Sequence, residues 1–150
     1  MRAILLAPSL VPKAWPLVAH WVAEALTKGK ADETPEDILD RLLRGKQQLW
    51  LAWDESARRA RGICITEVFD GARGKACNLA IIAGHNFKSW RHLTAAVKDF
   101  ARTVGCVRLE FSGRKGWQRL VGSDGWEHLR TILEMRLDNE QQQELVNEDL

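Results

Sequence analysis

Residues 84–112 read GHNFKSWRHLTAAVKDFARTVGCVRLEFS. Within them Trp90, Leu93, Val97, Phe100 and Val104 recur at alternating steps of three and four, the spacing of one helix face. Arg91, Lys98, Asp99 and Arg102 lie off that stripe. The spacing predicts a helix from Ser89, and Gly105 stops it. Val107, Leu109 and Phe111 then alternate with Arg108, Glu110 and Ser112, which predicts a half-buried strand.

Working outward, a short helix is expected around Trp117-Gln118-Arg119-Leu120, bracketed by glycines. Leu129, Thr131, Leu133, Met135 and Leu137 alternate with Arg130, Ile132, Glu134 and Arg136, which predicts a last strand over 129–137. Upstream, residues 3–7 read as a first strand. Leu17, Val18, Trp21, Val22, Ala25 and Leu26 repeat at helical spacing after Pro12, with Gly29 as the expected cap. Thr34-Pro35-Glu36-Asp37 reads as a helix start: a capping hydroxyl, a proline at the first position, and two acids at the positive helix end. Ile38, Leu39, Leu42 and Leu43 form its apolar stripe, and Gly45 ends it. Strands are expected over 48–53, 61–69 and 75–83. Asp70-Gly71 is the hairpin signal between the last two. A two-residue turn there places Phe69 opposite Ala72 and Cys64 opposite Cys77; the following Ala-Arg-Gly allows a longer turn.

The 150 residues suit one α/β domain over 1–137, a mixed α+β sheet, followed by an acidic, Gln-rich tail over 138–150. That tail has too few apolar groups to pack and is expected to order only against a partner. Five of the 20 acids lie in it, with no base, so the body carries a net charge of +7. The charge is diffuse, and no dense basic run points to nucleic acid. No apolar run approaches the roughly 20 residues that cross a bilayer, and no signal-peptide core is visible, so a cytoplasmic place of synthesis is expected. Cys64, Cys77 and Cys106 show no metal-ligand spacing and read as reduced, buried thiols, and no metal site is expected. Seven tryptophans (Trp15, Trp21, Trp50, Trp53, Trp90, Trp117 and Trp126) with no tyrosine read as packing groups, some as interface anchors.

The element order (β)ααβββαβαβ, with the run from Ala95 to Cys106 (AAVKDFARTVGC), resembles the GNAT superfamily of N-acetyltransferases over about residues 3–137. Gly113-Arg114-Lys115-Gly116-Trp117, Leu120 and Gly125-Trp126 are similar to a divergent group of GNAT-like proteins of tailed phages and prophages. Active members hold the acetyl-CoA pyrophosphate on a glycine-rich loop, of the type Gln/Arg-x-x-Gly-x-Gly/Ala, before the long helix. The resemblance places that loop on Gly84, His85, Asn86 and Lys88, with acetyl-CoA as the implied cofactor. Here no second glycine follows Gly84, and Phe87 and Trp90 add bulk; Lys88 and the helix start still attract an anion. Many members use a tyrosine on the short helix as general acid, and none exists in this chain. A carboxylate often found on the fourth strand is also missing from 75–83. Glu67 and Glu110 remain as candidate bases and equally as surface strand residues. Cys106 is a weaker candidate acid or nucleophile, with no histidine beside it in sequence. Of His20, His85, His92 and His128, only His85 lies in the loop.

No catalytic residue is assigned on this basis. The resemblance implies a GNAT-like scaffold without catalysis, a virion-associated structural or binding protein in the head-to-tail or tail region. Its expected partners are portal, adaptor or tail proteins, in several copies around a ring, with no cofactor. The alternative is an active acetyl-CoA-dependent N-acyltransferase of the bacterial cytoplasm.

Overall fold

A computed structural model describes residues 1–113 and 125–137. The chain divides into two compact units, Met1–Arg114 and Lys115–Leu150. The first unit contains β1 (Arg2–Leu6), a 3-10 turn at Pro8–Leu10, α1 (Val11–Lys28), α2 (Pro35–Leu43), β2 (Gln48–Asp54), β3 (Arg59–Gly71) and β4 (Gly74–Gly84). There follow α3 (Phe87–Trp90), a 3-10 turn at Arg91–Leu93, α4 (Thr94–Thr103) and β5 (Arg108–Phe111). The five strands form one sheet in the order β1-β2-β3-β4-β5, antiparallel up to β4, with β5 parallel to β4.

Alternation sends Leu49, Leu51, Ile63, Ile65 and Ile81 to one face, where they meet Val18, Trp21, Val22 and Leu26 of α1 and Ile38 and Leu42 of α2. The other face carries Trp50, Ala52 and Cys64 toward Thr94 and Val97 of α4. Trp50 meets Phe100 edge-on at 5.5 Å. On that face Trp50 Nε1 donates to Thr66 Oγ1 (3.1 Å), and Thr66 Oγ1 donates to Gln48 Oε1 (2.8 Å). Thr66 is thereby satisfied although fully buried. All six described tryptophans are buried or half-buried.

Local signals operate largely as read. Thr34 and Asp37 form a reciprocal capping box on α2, with Thr34 Oγ1 accepting from Asp37 N (3.2 Å) and Asp37 Oδ2 from Thr34 N (2.9 Å). Gly45 leaves α2 at φ +72°, and the Lys46 N–H returns to Arg41 O. Gly105 closes α4 the same way, with the Cys106 N–H on Ala101 O (2.8 Å). At α1 the left-handed residue is Lys30 (φ 51°), while Gly29 stays helical at φ −82°; the Ala31 N–H reaches back to Leu26 O.

Three expectations are corrected. The hairpin does not turn at Asp70-Gly71: Gly71 pairs with Gly74, and Ala72-Arg73 make the turn. Gly74, at φ +107°, absorbs the reversal that a primed Asp-Gly turn would have supplied. The register moves accordingly, so Cys77 faces Val68 and Cys64 faces Ile82. The helix expected from Ser89 is broken, because Trp90 leaves helical geometry (φ −128°, ψ 6°) and the regular helix starts at Thr94. Residues 129–137 form no strand. Leu129, Ile132, Leu133, Met135 and Leu137 are exposed, Leu133 at 89%. Alternation alone does not make a strand where no neighbour supplies the ladder bonds. The short helix expected around Trp117 and the acidic tail over 138–150 lie outside the described residues.

Position 62, near the start of β3, is a glycine because Trp90 sits on it. A Cβ there would stand 2.2 Å from Trp90 Cζ2 and 2.8 Å from Ala83 O. Gly62→Ala is therefore expected to lower stability by about 1–3 kcal/mol, read as a reduced urea midpoint at unchanged slope.

Candidate functional site

The predicted loop residues stand together at the end of β4. Gly84, His85, Asn86 and Lys88 are all exposed, Phe87 is half-buried and Trp90 is buried. Gly84 pairs with Gly62 as the last rung of the β3–β4 ladder, at φ +137°. A Cβ on it would lie 2.3 Å from Gly62 Cα and 2.5 Å from Arg61 O. Its glycine character answers to the neighbouring strand of the same sheet.

Beyond Gly84 the loop is tied to its own chain. The His85 N–H donates to Arg61 O (2.8 Å), and the Ser89 N–H and hydroxyl both donate to Asn86 O (2.9 and 2.7 Å). Asn86 takes the left-handed conformation (φ 51°, ψ 62°), which asparagine tolerates. Trp90 Nε1 donates to His85 O (2.9 Å), and Phe87 meets Trp90 edge-on at 4.9 Å. The His85 ring stands edge-on to Trp21 of α1 at 5.9 Å, and Trp21 lies 4.8 Å from the ring of His20. Glu24, on the same helix, is held below the usual carboxylate range by its hydrogen bond from Lys28, with weaker help from His20 and His85.

The loop does not open directly into a long, unbroken helix. A phosphate cradle needs amide N–H groups turned outward at the start of a helix of several turns. Here the amides of His85 and Ser89 bond within the chain, and four-residue α3 carries little aligned dipole. The ten-residue α4 starts only at Thr94.

β4 carries a bulge at Ala80, since Ile65 pairs with Ile81 and Thr66 with Leu79. The β4–β5 pairing ends at the adjacent rung, Leu79 opposite Phe111. Among the described residues, 80–84 have no strand partner on the β5 side. β5 itself ends at Phe111, and Trp90 lies over β3.

The acid–base candidates divide. Glu110 is half-buried and paired with Arg108 (3.4 Å) and Arg73 (4.0 Å), a structural cluster in which Arg108 also lies 5.9 Å over the Phe69 ring. Glu67 sits mid-strand opposite Asn78. Burial pushes the Cys64 thiol up. Cys77 is pushed up to about 11, by burial first and then by the neighbouring Cys106. Among the described residues no group of three His, Cys, Asp or Glu side chains is placed to hold a metal ion. No described helix is long and apolar enough to cross a membrane. The role of Gly62 went unread in the sequence, although a lone glycine inside an apolar strand signals a close approach.

The glycine and cysteine environments are each open to measurement. Gly84→Ala is expected to cost about 2 kcal/mol or more in urea unfolding, whereas Asn86→Gly, at a left-handed position, stays within about 1 kcal/mol of the parent. In the native protein burial holds the thiols of Cys64 and Cys77 above their ordinary range. Cys64 and Cys77 should therefore resist Ellman's reagent until the chain is unfolded.

Comparison with known proteins places this geometry. No protein-family model and no curated protein matches the sequence. Solved structures do match. A crystal structure of a probable acetyltransferase superposes with a TM-score of 0.67 at 18% identity, covering 92% of this chain and 97% of that one. Ribosomal-protein-alanine N-acetyltransferase from Brucella melitensis biovar Abortus 2308 gives 0.62 at 15% identity, covering 91% and 100%. An aminoglycoside acetyltransferase from an uncultured soil metagenomic sample, in complex with sisomicin, gives 0.66 at 12% identity, covering 91% and 95%. At such identities the likeness is one of fold, and the fold of this chain is that of the GNAT acetyltransferases.

Proposed function

We propose that this chain uses the GNAT fold as a binding scaffold and does not transfer acyl groups. The observation that carries this reading is the loop at residues 84–90, where the His85 N–H is committed to Arg61 O of β3, the Ser89 N–H to Asn86 O, and Gly84 to a close approach to β3. Chemistry points the same way. Aminolysis of a thioester needs a base for the amine and an acid for the departing thiolate. The chain has no tyrosine, Glu110 is held by two arginines, and Cys77 keeps its proton. The virion placement, against portal, adaptor or tail proteins, rests on the sequence likeness around residues 113–126 alone. The exposed apolar side chains over 129–137 are of the kind that a protein partner covers.

The second reading is an acetyl-CoA-dependent N-acyltransferase. Two observations favour it: the bulge at Ala80 in β4, beside the last β4–β5 rung, and the acetyltransferase activity named for the similar structures. The comparisons speak for this reading more directly than for a virion role.

Titration calorimetry with acetyl-CoA separates the two. The scaffold reading predicts no saturable heat up to millimolar cofactor. Micromolar binding that Lys88→Ala weakens would establish the acyltransferase reading instead. Absence of the protein from purified particles of the phage encoding it would remove the virion placement.

A further inference from the structure

A cavity of about 420 Å³ opens where β1 ends and β2 begins. Its cause is topological. The β1–β2 pairing stops at Leu6 and Leu49, while β3 and β4 run on. Leu42 of α2 and Phe100 of α4, from opposite faces of the sheet, line one space there. Leu6, Pro8 and Leu49 complete an apolar wall, and the volume lies in the range of small-molecule sites.

Gln48, the first residue of β2, lines the same space and is half-buried. Its amide is held one way round. Trp50 Nε1 donates to Thr66 Oγ1 (3.1 Å), so the single hydroxyl proton of Thr66 needs an acceptor of its own. Gln48 Oε1 takes it at 2.8 Å. Turning the amide over would set its NH2 group against that hydroxyl. The fully buried Thr66 would then be left with the sulfur of Cys77, a weak acceptor. The oxygen end of the amide is therefore taken, and the nitrogen end is what Gln48 has to offer. That nitrogen has no acceptor among the described residues, yet it is not an enclosed, unsatisfied atom, so it keeps accessible surface. One oriented donor beside an apolar wall is the usual make-up of a small-molecule site.

We propose that this cavity binds a small apolar molecule carrying one hydrogen-bond acceptor, such as a ring ketone, with the acceptor on the amide N–H of Gln48. The site is independent of either reading of the β4 loop. Indane and its ketone, indanone, test it on the full chain, because they share a frame and only indanone has the acceptor. Protein-observed NMR should show saturable shifts at Leu42, Leu49 and Phe100 with both, and a shift of the Gln48 side-chain amide protons with indanone. Indanone should bind about fivefold tighter, the worth of one net hydrogen bond. Gln48→Glu keeps an acceptor for Thr66 and removes the donor, so it should erase the preference while indane still binds. Gln48→Met serves the same purpose if the carboxylate variant does not fold by circular dichroism. Equal affinity of the two molecules for the parent protein, no saturable shift with either, unmoved Gln48 amide protons, or a preference that survives the loss of the donor would each overturn the proposal.

Discussion

The close approach of β3 and β4 at Gly62 and Gly84 governs the path of the chain beyond it. Two glycines face each other on the last rung of the ladder. One admits the backbone of its partner to within 2.3 Å of where a Cβ would stand, and the other admits the indole of Trp90. Either side chain would be resisted by backbone or by a buried ring rather than by a flexible tip, so the constraint is stiff. Arg61 reinforces it. Its carbonyl accepts from His85, and its guanidinium is held by Asp54 at 2.9 Å. Asp54 is itself kept below the usual carboxylate range by the Ala57 N–H first and by Arg61 second.

This rung dictates the loop's conformation. Once His85 is tied to β3, the chain must turn at once to bring Trp90 back over Gly62. Asn86 in the left-handed region makes that turn. Seating the indole draws the first helical turn away from the axis of α4, which leaves the break at Trp90. A helix uninterrupted from the loop would aim its positive end at an anion. A broken one spreads that partial charge over short segments. One of the loop's amides, the His85 N–H, is thus held beside the rung by Arg61 O.

Much of the fold was legible because its signals are local. The capping box at Thr34, the glycine exits at Gly45 and Gly105, and the alternation in β2 to β5 each need only a few neighbouring residues. What escaped depends on partners far along the chain. The stripe from Trp90 to Val104 is a sound helix pattern, but Trp90 is claimed by Gly62, nearly thirty residues earlier, and tertiary packing overrides the pattern. Asp70-Gly71 is a strong turn pair, yet Gly71 and Gly74 compete to close the same hairpin, and the register is decided by the whole ladder. The candidate site was half legible. The loop position came from element order, whereas the engagement of its amides could be seen only in three dimensions.

The GNAT-like fold of this chain stands independently of catalytic fittings. Sheet order and the bulge at Ala80 arise from backbone geometry that apolar alternation and helix packing maintain. A phosphate cradle and a general acid are additions to that frame: a few outward amides and one side chain of suitable pKa. The inward hydrogen bond from the His85 N–H to Arg61 O strengthens the frame at the end of β4.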